Sequence, residues 1–155
     1  KVGQYMNDCP VCREDLFSSR NASHEMPCGH VIHWHCFKQL ANHDSRCPIC
    51  KKTAVTPEHM ALTWNALALG IVLQPLPPDM TKAVDINCID CKAKDTNRRW
   101  HFLGTHCGKC GSFNTLIEKV VKTGVEAHRF LEGQDEPEHS YQSSLTLPTN
   151  GFNLV

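Results

Sequence analysis

The sequence has no long apolar run. Its most apolar stretch, residues 60–73, is shorter than the roughly 20 residues that a membrane-spanning helix needs, and the polar residues Thr63 and Asn65 interrupt it. No apolar segment of the kind that directs secretion occurs among the 155 residues. We therefore predict no membrane role for this chain.

The chain also lacks an initiator methionine and a net charge. It starts at Lys1 and reaches its first motif almost at once, so we expect it to be a fragment of a longer protein. Its 16 Lys and Arg residues balance its 16 Asp and Glu residues. With 155 residues it has room for one or two small domains.

Cysteine and histidine are abundant, with ten of each. Eight of them follow one order in the first third of the chain: Cys9-x-x-Cys12, Cys28-x-His30-x-x-His33-x-x-Cys36 and Cys47-x-x-Cys50. A Cys-x-x-Cys pair puts two thiolates on one tight turn, where both reach a tetrahedral ion. One such pair is weak evidence, because redox dithiols share the spacing, but the whole series rarely arises by chance. The order predicts two zinc sites.

Three further histidines lie near these ligands without ligand spacing. His35 is the alternative to His33 as the fifth ligand of the series. It is adjacent to Cys36, however, and two neighbouring residues could bind the same tetrahedral ion only through a strained turn. We interpret His24, His35 and His43 as surface or packing residues.

Zinc explains the cysteines better than a disulfide framework, because histidines stand at ligand spacing among the thiols. Structural zinc contributes about 10–16 kcal/mol of apparent binding free energy, which is comparable to the stability of a small domain. The metal would then be part of the fold. A reducing compartment, cytoplasm or nucleus, is expected.

A second module contains Cys88-x-x-Cys91 and, fifteen residues later, Cys107-x-x-Cys110. Four thiolates on two turns predict a zinc ribbon of short β-hairpins. Val84 and Ile86 alternate before the first pair, and Trp100 and Phe102 before the second, which predicts strands there. The glycines that mark its turns are Gly104, Gly108 and Gly111.

A helix is predicted between the modules, with Thr56 as N-cap and Pro57 at the first helical position. Four apolar residues recur at helical spacing and would pack on a neighbouring module: Met60, Trp64, Leu67 and Ile71. Prolines 75, 77 and 78 end the helix and form a stiff spacer. From Lys122 the chain becomes polar and acidic, which predicts a mostly disordered tail.

The predicted cofactor is zinc, three ions per chain. Three dications add six positive charges and ten thiolates add ten negative ones, so the loaded chain carries about four net negative charges. This balance disfavours a broadly basic nucleic-acid binder.

The first eight ligands resemble those of the RING finger family, in the form with histidines at the fourth and fifth positions. Ligand pairs interleave in that family. The resemblance implies one zinc on Cys9, Cys12, His33 and Cys36 and a second on Cys28, His30, Cys47 and Cys50, with the third on the ribbon's four cysteines. The related PHD pattern has Cys where His30 stands and is disfavoured.

RING fingers are ubiquitin ligases, and the resemblance implies that role, with a ubiquitin-conjugating enzyme, ubiquitin and a protein substrate as partners. The family's docking positions correspond to Val11, Leu40 and Pro48, all apolar here. The cation that follows the eighth ligand in many members corresponds to Lys51; Arg forms a better planar fork of hydrogen bonds than Lys does. All ten cysteines are expected to bind zinc, so none would form a ubiquitin thioester. Catalysis would then proceed by positioning.

The arrangement of both modules is similar to the C-terminal half of the CHY zinc-finger and RING-finger ubiquitin ligases. The similarity covers residues 8–115 and includes the ribbon sequence from His106 to Thr115. It implies that the ribbon helps to recruit substrate. The predicted fold is a small zinc-stabilised α+β protein with a cross-brace RING at 1–55, a helix and proline-rich linker at 56–79, a zinc ribbon at 80–121 and a tail at 122–155.

Two other functions are compatible with the sequence. One is a non-enzymatic zinc adaptor that binds a protein partner. The other is nucleic-acid binding through the ribbon, where four cations lie close to Trp100 in the sequence: Lys92, Lys94, Arg98 and Arg99. The shortness of this cluster and the acidic loaded chain disfavour the second.

Overall fold

The structure is a computed structural model that describes residues 7–18 and 20–133. Short helices and two small antiparallel sheets make up the described chain. The predicted fold class, a small α+β protein built around Cys/His groups, is confirmed. Among residues 7–18 and 20–133, each helix is too short or too polar to span a bilayer.

The first module consists of a small hairpin and one helix. Strands β1 (Ser23–Glu25) and β2 (Val31–His33) pair antiparallel, and helix α1 (Trp34–Ala41) follows directly. Its buried hydrophobic residues are Cys9, Leu16, Met26, Ile32, Cys36, Cys47 and Ala54. Because three of these seven are cysteines of the ligand series, the metal-ligand residues make up a large part of the module's core.

Helix α2 (Pro57–Leu73) joins the two modules. Thr56 occupies the N-cap position and Pro57 the first turn, as the sequence predicted. The helix ends just before Pro75, which cannot continue it. It contacts the second module near its C-terminal end, where the carbonyl oxygen of Gln74 lies 2.8 Å from Nε2 of the buried His101.

The predicted apolar stripe of α2 is half-buried along its length. A Cβ added to Gly70 would lie 2.9 Å from the Leu103 side chain, so helix and ribbon are in close contact there. The opposite face is also apolar, because Leu62, Leu69, Val72 and Leu73 are all exposed. The spacing in the sequence indicated only the first of these two faces.

The second module is a three-stranded antiparallel sheet preceded by a 3₁₀ turn at Pro78–Met80. Strand β3 (Lys82–Cys88) lies between β4 (Lys94–Arg99) and β5 (Thr115–Thr123). Val84 and Ile86 are buried on β3, which confirms the strand predicted for them. Of the first Cys pair, Cys88 ends β3 and Cys91 lies in the β3–β4 turn; the second pair lies in the connection from β4 to β5.

The strand predicted around Trp100 and Phe102 is wrong. Strand β4 ends at Arg99, opposite Ala83, and the Trp100 amide makes the last bond to the carbonyl of Lys82, the first residue of β3. The chain then turns, because β3 offers no further residue to pair with. Trp100 and Phe102 therefore lie beyond the end of β4, and Phe102 is 55% exposed.

The prediction of a mostly disordered tail is wrong for residues 122–133. Strand β5 continues to Thr123, and helix α3 (Gly124–Glu132) follows. Ala127 and Leu131, four residues apart, are buried against Ala83 of the sheet. The acidic composition concealed this short apolar repeat. Residues 134–155 of the predicted tail lie outside the described residues.

Candidate metal centres and docking surface

The structure gathers all twelve predicted ligands into three groups of four. In each group the candidate ligand atoms all lie within 4.8 Å of one another. The groups are Cys9, Cys12, His33 and Cys36; Cys28, His30, Cys47 and Cys50; and Cys88, Cys91, Cys107 and Cys110. The first two groups interleave along the chain, as the RING resemblance implied.

His33 is oriented for the first group by a backbone contact. Its Nδ1 lies 3.1 Å from Sγ of Cys12, and its Nε2 lies 3.2 Å from the carbonyl oxygen of Asp15. Nε2–H donates to that carbonyl, which leaves Nδ1 as the metal-ligating atom. His33 is fully buried, so its ring is held firmly between the two contacts.

The three further histidines near the RING ligands lie outside the groups. His35 is exposed; its Nε2 approaches Sγ of Cys36 to 3.3 Å, yet His35 is not part of the first group. His24 packs against the rings of Trp34 and Phe37, with centroids 4.9 and 4.3 Å away. His43 is exposed. They are surface and packing residues in the structure.

Distances in the other two groups fit zinc. His30 Nδ1 lies 3.5 Å from Sγ of Cys28 and 3.6 Å from Sγ of Cys47. In the ribbon, the Cys88–Cys110 and Cys91–Cys107 sulfur pairs are each 3.6 Å apart. A tetrahedral zinc with Zn–S bonds of about 2.3 Å requires sulfurs about 3.8 Å apart. The chain therefore has three groups positioned to bind zinc, which at closed four-ligand sites supplies folding free energy.

Four turns of one kind present the Cys-x-x-Cys pairs. The amides of Cys9, Cys47, Cys88 and Cys107 each donate to the carbonyl five residues later, over 2.8–2.9 Å. Each of these cysteines also accepts, at its carbonyl, the amide four residues later. The residue at that fourth place has a positive φ in every turn: Arg13, Lys51, Lys92 and Gly111. The backbone conformation of Lys51 is thus imposed by its zinc-ligand turn.

The surroundings of the cysteines also shift the pKa values of their thiols. Burial raises the pKa of Cys9, but the amides of Cys12, His33 and Val11 outweigh it and lower the pKa to about 6. Burial raises the pKa of Cys36, and the neighbouring Cys12 and Cys9 thiols raise it further, to about 12. Neighbouring thiolates repel one another, which disfavours deprotonation of all the cysteines when no metal is bound. A bound dication would offset this repulsion.

The four predicted docking residues are distributed over the RING surface and core. Val11 is 42% exposed on the first Cys-x-x-Cys turn, Pro48 is half-buried on the last, and Lys51 is exposed just after it. Leu40 of α1 is half-buried and packs against the RING core. It contributes to packing whatever else it does.

Sequence reasoning missed Ile49, which is 51% exposed beside Pro48. A signal was present, because Cys47-Pro-Ile-Cys repeats the pattern of Cys9-Pro-Val-Cys. Ile49 corresponds to Val11 in that repeat. Both turns therefore expose one apolar side chain at the same place.

Two of the four ribbon cations, Lys94 and Arg98, contact acidic or polar neighbours. Lys94 lies 2.9 Å from a carboxylate oxygen of Glu118, on the other edge strand. Arg98 is half-buried, with Nε 3.5 Å from Asp95 and Nη2 3.1 Å from Nε2 of His106. These contacts draw positive charge away from a nucleic-acid backbone and weigh against the nucleic-acid hypothesis.

Two family models match the chain. The Ring finger domain matches residues 7–51, and the Zinc-ribbon matches residues 58–116. The matches cover the first two Cys/His groups and the third group respectively. No solved structure matches significantly.

Curated relatives align with much of the chain. Zinc finger protein BRUTUS of Arabidopsis thaliana is 38% identical over 72% of this chain, and the match covers 9% of BRUTUS. The RING finger protein C2F3.16 of Schizosaccharomyces pombe is 34% identical over 74% of this chain and 26% of its own length. E3 ubiquitin-protein ligase RZFP34 of Arabidopsis thaliana is 32% identical over 86% of this chain and 44% of its own length.

The chain thus spans less than half the length of each of these relatives. The RZFP34 match is long enough to reach into both modules. Taken with the three ligand groups, these matches show that the chain belongs to the RING finger family and that a zinc ribbon follows its RING finger.

Proposed function

We propose that this chain is the ligase part of a RING-type ubiquitin-protein ligase. It binds a ubiquitin-charged conjugating enzyme and promotes transfer of ubiquitin to a substrate lysine. The observation that carries this proposal is the pair of interleaved four-ligand groups. Relatives named E3 ubiquitin-protein ligases from Arabidopsis and rice support it.

The mechanism is positioning. All ten cysteines belong to the three ligand groups, so no thiol is left to carry ubiquitin. The exposed Val11, with Pro48 and Leu40, contacts the conjugating enzyme, and Lys51 contacts the enzyme and ubiquitin together. Holding the charged ubiquitin in a near-attack geometry removes freedom before the lysine reacts, which accelerates transfer without a reacting side chain.

The ribbon provides a dock for substrate or another partner. Strand β5 is an edge of its sheet and exposes three large apolar side chains: Leu116 (58%), Ile117 (50%) and Val120 (49%). An apolar edge strand is the kind of surface to which an extended segment adds. We expect the protein to act in the cytoplasm and nucleus, where its thiols remain reduced.

Reconstitution tests the ligase proposal. The zinc-loaded chain is mixed with activating enzyme, a panel of conjugating enzymes and ubiquitin, and chain formation is followed. We expect ubiquitin chains from the wild type, and their loss in Val11→Ala with an unchanged circular dichroism spectrum. Leu62→Ala is the matched control, because Leu62 is an 82% exposed apolar residue on α2, outside the RING.

Each outcome has a separate meaning. Full activity of Val11→Ala would remove Val11 from the docking surface. A wild type that is silent with every conjugating enzyme, while it holds three zinc ions, would contradict the ligase proposal. In that case the non-enzymatic adaptor would be the better description.

A further inference from the structure

One carboxylate of the ribbon reaches across to the RING. Asp90 lies within the first ribbon turn, between Cys88 and Cys91. Its Oδ1 accepts the backbone N–H of Thr53 at 2.7 Å, and its Oδ2 accepts the Thr53 hydroxyl at 2.7 Å. Thr53 is three residues after Cys50, the last RING ligand. A residue in a ligand turn of the third zinc group thus forms hydrogen bonds with the segment that follows the second zinc group.

The same carboxylate is held from the other side by the second half of the ribbon. The Ser112 hydroxyl donates to Oδ2 at 2.6 Å, and the side-chain Nδ2 of Asn114 donates to Oδ1 at 2.9 Å. Asp90 therefore accepts four hydrogen bonds, two from the RING side and two from its own module. It joins both ribbon turns to the RING exit, which is the segment from Lys51 to Thr53 that follows the last RING ligand.

Asn114 extends this junction to Lys51. Its Nδ2 donates to the carbonyl oxygen of Lys51 at 2.8 Å as well as to Asp90. The two N–H donors of this side-chain amide are thus both used across the junction. The Lys51 amide donates to the Cys47 carbonyl at 2.9 Å, so both polar groups of the Lys51 backbone are fixed, one by the RING and one by the ribbon.

We propose that Asp90 and Asn114 are positioning residues for ubiquitin transfer, which hold Lys51 in the place where it contacts the charged conjugating enzyme. This inference rests on the proposed ligase function. It makes the ribbon part of the transfer machinery as well as a partner dock. A long, flexible lysine contributes to a near-attack geometry only when its backbone is fixed, and the RING turn alone leaves the Lys51 carbonyl for the ribbon to hold.

Single-turnover discharge tests the inference. A conjugating enzyme preloaded with ubiquitin is discharged onto free lysine by the complete, zinc-loaded chain. We expect Asn114→Ala to slow discharge at saturating chain about five- to tenfold, the size of one or two lost hydrogen bonds. We expect affinity for the conjugating enzyme and the count of three zinc ions to stay unchanged. Thr115→Val is the matched control, because the Thr115 hydroxyl donates to the Thr105 carbonyl within the ribbon and does not reach the RING.

A double-mutant cycle separates positioning from general stabilisation. If Asn114 acts through Lys51, Asn114→Ala has no further effect in a Lys51→Ala chain. Independent, multiplying losses would overturn the inference, as would a wild-type rate for Asn114→Ala. Asp90→Ala, scored only if it retains three zinc ions, should show the same dependence on Lys51.

Failure of the inference is distinguishable from failure of the proposed function. A wild type that discharges, with Asn114→Ala equally fast, leaves the ligase proposal intact and removes the positioning role. A wild type that discharges no conjugating enzyme of the panel contradicts both. Hydrogen exchange at the Thr53 amide, expected to be faster in Asp90→Ala, verifies the junction without any activity.

Discussion

The RING and the ribbon use zinc in different ways. The RING has two strands of three residues, one helix of eight, and a buried core in which three of seven residues are ligand-series cysteines. The ribbon has strands of up to nine residues and a helix, and it buries Ala83, Ala127 and Leu131 away from its ligands. Residues positioned to bind zinc therefore make up a large part of the RING core. In the ribbon the ligand group lies at one end of a sheet that also packs against a helix.

The largest predicted effect comes from removing a buried RING ligand. Cys47→Ser should abolish ubiquitin discharge and leave at most two zinc ions per chain, because structural zinc supplies about 10–16 kcal/mol and Cys47 is also buried in the core of this small module. Elemental analysis and the discharge assay measure both quantities on the same sample.

The exposed ribbon ligand is the matched control for that change. Cys110→Ser should also lower the zinc count, but both RING ions and a measurable discharge rate should remain, near the rate of Asn114→Ala. If Cys110→Ser unfolds the RING as completely as Cys47→Ser does, the two modules do not differ as described.

An intermediate effect is expected at the packing of α3. Leu131 is 5% exposed, so Leu131→Ala should destabilise the ribbon by about 2–5 kcal/mol. Hydrogen exchange of the β3 amides measures this change. Val125→Ala is the control, since Val125 is 45% exposed and its loss should change stability by less than about 0.5 kcal/mol. Equal destabilisation of RING amides would mean that the chain unfolds as one unit.

The smallest predicted effect concerns the cation after the last RING ligand. Lys51→Arg should raise the discharge rate about threefold, because a guanidinium makes two parallel hydrogen bonds where an ammonium makes a point contact. The zinc count should not change. A rate that falls would show that the Lys51 position favours a compact charge.

The metal ligands could be predicted from sequence because coordination depends on spacing. Each Cys-x-x-Cys turn closes with the same local hydrogen bonds wherever it occurs, so a few residues specify it. The N-cap at Thr56 and the helix start at Pro57 are equally local. Long-range packing had no comparable signal. Ala127 and Leu131 are two apolar residues in an acidic segment, and their burial depends on the sheet that precedes them.

The junction between the modules could not be predicted from sequence. Thr53, Asp90 and Asn114 are widely separated in the chain and belong to no spacing pattern. Asp90 lies between two metal-ligand cysteines, and nothing in its position along the chain indicates a partner in the RING. Only the folded ribbon, with its two turns side by side, places Asp90 and Asn114 against the RING exit.

Residue-resolved hydrogen exchange on the metal-stripped chain tests the central contrast most directly. We expect RING amides to lose all protection when zinc is removed, and any surviving protection to lie in β3, β5 and α3. RING amides that stay protected without zinc would contradict it.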